Sequence, residues 1–481
     1  MYMYKTKPFK HQEVVIDDSW ERPYYGLFME MGLGKSKVAI DTVGKLKLKG
    51  EIDSVMIVAP KGVYDNWIKQ EIPNHLPEEF ERFVVRWQPS TSKAFQDQMQ
   101  KLVFEMMAGI KFFVINVEAF SSDRGKKAAY YFLKKNPDNM MIVDESTTIK
   151  NRKASRTKNI MQLGKYAKYK RILTGSPVTK SPMDLYSQCA FLDAMSLDQA
   201  SFFAFQNRYA IVQKRIMGPR SFNEITGYRR LDELNEKLNK FSVRTLKEDC
   251  LDLPDKIYVK RNVPLTAEQT KLYTQMKKYA LAQLDEGQLA TTASVLTQIM
   301  RLQQICCGYL VSDEGEMKVL DNNRMTELLA AIEECSGKII IWCNYTHDII
   351  EIEKALSSKY GGDSVATYYG GTKQDDRQQT VDNFQDINNP LRFFVGQPKT
   401  GGYGITLTAA NTMIYYSNSY DLEIRLQSED RAHRIGQKKA VTYIDLIVED
   451  TIDEKIVKSL REKINLAGQV LGEEQKRWLL N

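Results

Sequence analysis

A chain of 481 residues is long enough for two or three ordinary domains, and its 43% apolar and 27% charged residues exclude fibrous and disordered classes. No apolar run approaches the roughly 20 residues that span a bilayer, and the opening MYMYKTKPFKHQ lacks the apolar core of a signal peptide, so a cytoplasmic setting without membrane contact is expected. Lys and Arg exceed Asp and Glu by 68 to 61; the net +7 permits a polyanionic partner without requiring one, and six scattered cysteines, Cys306-Cys307 included, fit neither a disulfide framework nor a zinc site.

In chain order, YYGLF (24–28) reads as a strand end, followed by VMIVAP (55–60), KFFVINV (111–117), MMIVDE (140–145) and KRILTGS (170–176). These short apolar runs read as buried parallel strands, and the gaps between them are long enough for crossover helices. From about 190 to 330 the pattern turns helical, as in 265–284 and 291–305. A second strand series comprises KIIIWCN (338–344), VATYYG (365–370), LRFFVGQ (391–397), NTMIYYSN (411–418) and VTYIDLIV (441–448). The expected fold is α/β: two tandem doubly wound parallel-sheet lobes with helical insertions between them. The first lobe is expected over 1–255 with a helical insertion near 190–240, a helical linker over 256–320, and the second lobe over 321–481.

Between the first strand and a helical pattern lies MEMGLGKS (29–36). Gly32 and Gly34 allow backbone N–H groups to approach a phosphate closely. Lys35 is expected to reach the outer phosphates, Ser36 to ligate magnesium, and the helix N-terminus to add its positive end. Met29 stands where the strict phosphate-loop pattern wants glycine. Asp144 and Glu145 close the strand MMIVDE, one carboxylate suited to hold magnesium and the other to orient and deprotonate water. Gln12 offers the donor and acceptor that adenine's edge needs. Far downstream, QSEDRAHRIGQ (427–437) sets Arg431 and Arg434 three residues apart, which on a helix gives one cationic face able to stabilise a transferring phosphoryl group. ATP and Mg2+ are the expected cofactors.

These motifs, taken in order, resemble the helicase superfamily 2 core, specifically its Swi/Snf-type, chromatin-remodeller-like branch, over nearly the whole chain. MEMGLGKS is similar to that branch's acidic-Met-Gly-Leu-Gly-Lys loop, which accounts for Met29. VAPKGVYDNW (58–67), VDESTTIKN (143–151), LTGSP (173–177), IIIWCNYT (339–346), TGGYGITLTAA (400–410) and QSEDRAHRIGQ resemble its further motifs. The resemblance implies two RecA-like lobes, ATP hydrolysis stimulated by nucleic acid, and stepping along double-stranded DNA. It also implies nucleic-acid contacts at Pro60 and Lys61, and at Thr174, which links them to the nucleotide. Gly401, Gly402 and Gly404 permit close backbone approach, Gly404 on the nucleotide side as well, and Thr406 and Thr408 can donate hydroxyls.

The branch's usual histidine after the acidic pair is Thr147 here, which puts the coupling of hydrolysis to DNA in question. Its tryptophan before the arginine motif is Tyr420, and its proline-tyrosine before the glutamine is Lys10-His11. Two basic clusters, KNRKASRTK (150–158) and Lys214, Arg215, Arg220, Arg229 and Arg230, are candidates for phosphate contact, with solvated faces as the alternative. Three activities remain open: a duplex DNA translocase or remodeller, a helicase that unwinds or branch-migrates forks and junctions, and an ATP-gated clamp. The compact length and the absence of any chromatin-reading module point to a bacterial cell or a phage-infected host.

Overall fold

The computed structural model describes residues 2–61, 63–106, 108–217, 220–285, 292–312, 314–401 and 405–471. The chain forms two units, the first mainly Met1–Lys214 with Asn223–Asp252, the second mainly Leu253–Ile464.

The first unit is built on β1 (Tyr24–Met29), β2 (Ser54–Ala59), β3 (Arg82–Arg86), β4 (Ile110–Asn116), β5 (Asn139–Asp144) and β6 (Tyr169–Leu173). After these come a two-stranded ribbon of β7 (Ala210–Met217) and β8 (Arg220–Tyr228), then β9 (Ser242–Thr245). The main sheet runs β3-β4-β2-β5-β6-β1-β9 with every pair parallel. Its central strands are apolar throughout because both faces are covered. Along β2, Met56 and Val58 enter one core while Val55, Ile57 and Ala59 enter the other. The parallel order brings the carboxyl ends of β1, β6 and β5 to one edge of the sheet, where ligands bind in such folds.

The second unit comprises β10 (Lys256–Asn262), a small antiparallel pair β11 (Tyr309–Val311) and β12 (Met317–Val319), then β13 (Lys338–Trp342), β14 (Val365–Tyr368), β15 (Phe393–Gly396), β16 (Ala410–Tyr415) and β17 (Val441–Ile447). The sheet order is β10-β17-β16-β13-β15-β14, again parallel. Ile339 and Ile341 pack on one face, Ile340 and Trp342 on the other. A fully buried guanidinium, Arg324, ties this unit together. It donates to the carbonyls of Cys306 at 3.1 Å and Leu446 at 3.2 Å and to that of Tyr416, and it pairs with Asp453.

All ten expected strand runs are strands, and the stretches 265–284 and 291–305 correspond to the helices Ala267–Asp285 and Thr292–Cys307. Two expectations are corrected. The stretch 190–240 is not purely helical: helices Phe202–Tyr209 and Leu231–Leu238 flank the β7–β8 ribbon. The stretch 256–320 opens with β10, which joins the second sheet. These three strands escape the eye because they are partly exposed and lack a continuous apolar run. Among the described residues no helix is long and apolar enough to cross a membrane.

Candidate nucleotide and nucleic-acid sites

In the first unit the chain leaves β1 at Met29, turns through Gly32 and Gly34 in the left-handed region, and enters the helix Lys35–Leu48. Gly34 is required twice over. Its φ of 81° disfavours any side chain, and a Cβ there would lie 2.3 Å from Gln12 Nε2. Gln12 is almost fully buried; its Nε2 donates to the Leu33 carbonyl at 3.0 Å, and its Oε1 accepts from the Phe9 N–H at 3.0 Å. One amide N–H and one lone pair remain for a base edge. Beside it Phe9, 53% exposed, stacks on His11 with ring centroids 5.8 Å apart and planes 7° from parallel. This pair presents a flat aromatic surface near Gln12, where Lys10-His11 alone offers no obvious stacking residue.

The Lys35 ammonium donates to the carbonyls of Met29 at 2.9 Å and Glu30 at 3.3 Å. These carbonyls hold the lysine over the loop that the glycines open. Asp144 ends β5 with its side chain buried. One oxygen accepts from the Trp67 indole N–H at 2.8 Å and the other from the Glu145 backbone N–H at 2.9 Å. Burial pushes the Asp144 carboxyl above its usual range, opposed by the Trp67 donor, the Lys35 charge and the Glu145 N–H. Glu145 itself sits at φ 46°, a left-handed conformation of the kind held at functional sites against a cost of about 1–3 kcal/mol. After it, Thr147 is buried, and Ser146 donates to Gln188 Oε1 at 2.7 Å.

Thr174 follows β6, the strand between β1 and β5, and is only 1% exposed. Its hydroxyl accepts from the Ser176 N–H at 3.2 Å and shapes the turn that follows β6. Arg244 reinforces this edge by donating to the carbonyls of Phe28 at 3.1 Å and Gly175 at 2.9 Å. Pro60 is buried, its carbonyl accepting from Val63 and Tyr64, while Lys61 is exposed. Trp67, Arg244 and Gln188 were assigned no role from the sequence. Trp67 closes the 58–67 motif, which is the one signal that points to it.

The residues fit ATP and a divalent cation. Gly34 keeps clear a space that a Cβ would fill, the helix N-terminus directs N–H groups into the loop, and Lys35 supplies charge. Among the described residues no three His, Cys, Asp or Glu side chains converge as a metal cage. Magnesium takes one or two protein oxygens and completes its shell with phosphate and water, and Ser36 and Asp144 are the residues that would hold it.

In the second unit the helix Leu422–Glu429 ends before the arginines. Arg431 and Arg434 therefore lie in the turns that follow, not on one helical face as their spacing suggests. Their side chains still converge, because both donate to the Ile405 carbonyl, at 3.1 Å and 3.4 Å, and Arg431 Nε also donates to the Gln427 carbonyl at 2.9 Å. Gln437 fixes the turn through the carbonyls of Thr408, Ala410 and Ala432. The Thr408 hydroxyl accepts from Gln385 at 3.1 Å, and Thr406 is half-buried. Gly401 packs on Trp342, where a Cβ would approach the ring to 2.6 Å. Gly402 and Gly404 lie outside the described residues.

Comparison with known proteins places these sites in context. Residues 26–309 match the SNF2-related domain, and residues 322–436 match the helicase conserved C-terminal domain. The chain is 27% identical over 466 residues to the SWI/SNF chromatin-remodeling complex subunit snf22 of Schizosaccharomyces pombe, covering 92% of this chain and 26% of that protein. It is 28% identical over 351 residues to the putative ATP-dependent helicase/translocase YwqA of Bacillus subtilis, covering 71% of this chain and 36% of that one. The chain thus spans about a quarter to a third of the length of these relatives. A Sulfolobus solfataricus SWI2/SNF2 ATPase core in complex with dsDNA aligns with 95% of this chain and 91% of that one, at 22% identity and a TM-score of 0.44.

Proposed function

The chain belongs to the SNF2-related domain family, and on that premise we propose that it hydrolyses ATP on double-stranded DNA and moves along it. One observation carries the reading. The glycine-shaped loop with Lys35 and the Asp144-Glu145 pair stand at the carboxyl ends of β1 and β5 in one parallel sheet, separated only by β6.

Gln12 and the Phe9–His11 pair hold the adenine; the loop N–H groups and Lys35 hold the phosphates. Ser36 and Asp144 would hold a magnesium ion, which would neutralise charge on the phosphate oxygens. Glu145 takes a proton from the attacking water, whose oxygen bonds to the γ-phosphorus as the bond to the ADP oxygen breaks. Arg431 and Arg434 spread the charge that develops on the γ-phosphoryl oxygens. Cycles of closure and release on the nucleotide then drive the DNA in steps.

The test is the steady-state ATPase rate with no nucleic acid, single-stranded DNA, plain duplex, a four-way junction and RNA at matched low salt. Strong stimulation by plain duplex is expected, and displacement of a triplex strand should then follow. Stimulation confined to forks, junctions or single strands replaces the proposal with an unwinding or branch-migrating helicase. ATP binding with a flat response leaves a clamp.

A further inference from the structure

The helix that begins at the phosphate loop is fastened on its far side by the first residues of the chain. Residues 2–9 form neither helix nor strand, yet Tyr2 is buried, and its hydroxyl donates to Asp41 Oδ1 at 2.8 Å. The Tyr2 ring lies on Gly44, where a Cβ would meet it at 2.3 Å. Lys37 supplies a second fastening. Its ammonium donates to Asp41 Oδ2 at 2.8 Å and to the Thr6 carbonyl at 2.7 Å, and it lies 5.5 Å from the centre of the Tyr4 ring. Both side chains of the Lys37–Asp41 pair are buried.

Lys37 follows Ser36 directly, but at 3.6 residues per turn it points about 200° around the helix from Lys35. It therefore turns away from the phosphates. What it holds instead leads to the base side of the site. The fastened segment ends at Phe9, whose N–H donates to Gln12 Oε1 at 3.0 Å, and runs on into the helix Lys10–Ser19. Gln12 Nε2 and His11 Nε2 both meet the Leu33 carbonyl, at 3.0 Å and 3.1 Å. One continuous stretch is thus held twice: at Leu33 in the phosphate loop and, through Thr6 and Tyr2, on the helix that follows the loop. A stretch held at Leu33 alone could pivot about that carbonyl; the second hold removes that freedom.

A buried ion pair is a weak source of stability, because desolvation offsets the attraction and an apolar pair of similar volume often serves as well. The Lys37–Asp41 pair adds direction. It aims one donor at a backbone carbonyl of the segment and one acceptor at the Tyr2 hydroxyl.

We propose that Lys37, Asp41 and Tyr2 are positioning residues for base recognition, locking residues 2–9 so that Gln12 presents its remaining N–H and lone pair in a fixed place. The proposal rests on the reading of Gln12 as the adenine contact and supplies what holds it there. The experiment compares the affinities of ADP, GDP and pyrophosphate, each with magnesium, by calorimetry on the whole chain. Tyr2→Phe keeps the ring on Gly44 and the ion pair. K37M/D41M replaces the pair with apolar side chains, and Gln12→Ala sets the full loss of base preference. Thermal melts check folding, and Tyr2→Phe carries the test alone if the double variant does not fold. The preference for ADP over GDP is expected to fall about 5- to 30-fold in K37M/D41M, as for two lost hydrogen bonds to the base, and about 2- to 5-fold in Tyr2→Phe. Pyrophosphate affinity should stay within about twofold of wild type, because Lys35 and the loop N–H groups are untouched. A merely structural role would lower all three affinities together. That result, or a preference equal to wild type in both variants while Gln12→Ala loses it, overturns the proposal and leaves the adenine reading standing. A wild-type chain that does not separate ADP from GDP, or a Gln12→Ala variant that still does, overturns the adenine reading and the proposal with it.

Discussion

The Trp67 indole N–H donates to Asp144 Oδ2 at 2.8 Å, from 77 residues away, while Asp144 Oδ1 accepts the Glu145 N–H at 2.9 Å. The carboxylate is thus aimed by two donors on a strand end that is otherwise apolar. Burial alone would favour its neutral form, and the indole is the largest influence opposing that.

Trp67→Phe keeps the buried ring and removes the donor. A hydrogen bond to a charged group contributes about 1.5–3 kcal/mol. The ATPase rate is expected to fall about 10- to 100-fold, and the magnesium concentration that half-saturates it to rise. Titrating magnesium against rate in both proteins checks this; equal half-saturation points mean the indole does not position Asp144.

Gly34→Ala places a methyl group 2.3 Å from Gln12 Nε2 and forces a side chain into φ 81°. The conformational strain is about 1–2 kcal/mol. ATP binding is expected to weaken about 10- to 100-fold. Gln12→Ala removes the clash but not the strain, so the double substitution should bind ATP little worse than Gly34→Ala alone. Strict additivity of the two effects in a titration of all four proteins would show that the contact is not the cause.

What the sequence made legible divides along physical lines. The β2 and β5 runs are apolar on both faces, so their burial is written locally, whereas β3 (RFVVR) and β10 (KIYVKRN) are partly exposed and look like surface. The phosphate loop was legible because glycine geometry is a property of three or four neighbouring residues. The role of Trp67 was not, because it lies in a helical turn and its partner ends β5, 77 residues away. The arginine spacing suggested one helical face, but the helix stops at Glu429, and the two guanidinium groups converge through the Ile405 carbonyl instead.

Arg431 and Arg434 share that carbonyl but not their burial. Arg431 is 6% exposed and makes a second bond to the Gln427 carbonyl. Arg431→Ala should therefore lower stability by about 1–3 kcal/mol as well as activity. Arg434→Ala should leave the melting temperature within a degree or two and ATP binding intact, while kcat falls about 10³- to 10⁵-fold. Normal hydrolysis by Arg434→Ala would remove it from the catalytic assignment.

Asp348 gives a pH dependence of opposite sign to most carboxylates. It is 2% exposed in the second unit, and neither of its oxygens meets a nitrogen or oxygen donor. Burial pushes its carboxyl up to about 7; Arg324 and the Cys307 thiol act against the shift, and Asp453 adds to it. In the unfolded chain an aspartate titrates near 3.9. Between about pH 4 and 7 the folded state therefore holds a proton that the unfolded state has lost, so stability falls as pH rises through that window and levels off above it. The full difference is about 4 kcal/mol at most, from about 1.4 kcal/mol per unit. Asp348→Asn cannot titrate, so its stability relative to wild type should improve between pH 5 and pH 8. Denaturant unfolding of both proteins at the two pH values measures this directly. A stability of Asp348→Asn minus wild type that stays constant or falls from pH 5 to pH 8 would mean that Asp348 is already ionised in the folded protein and finds its compensation in Arg324.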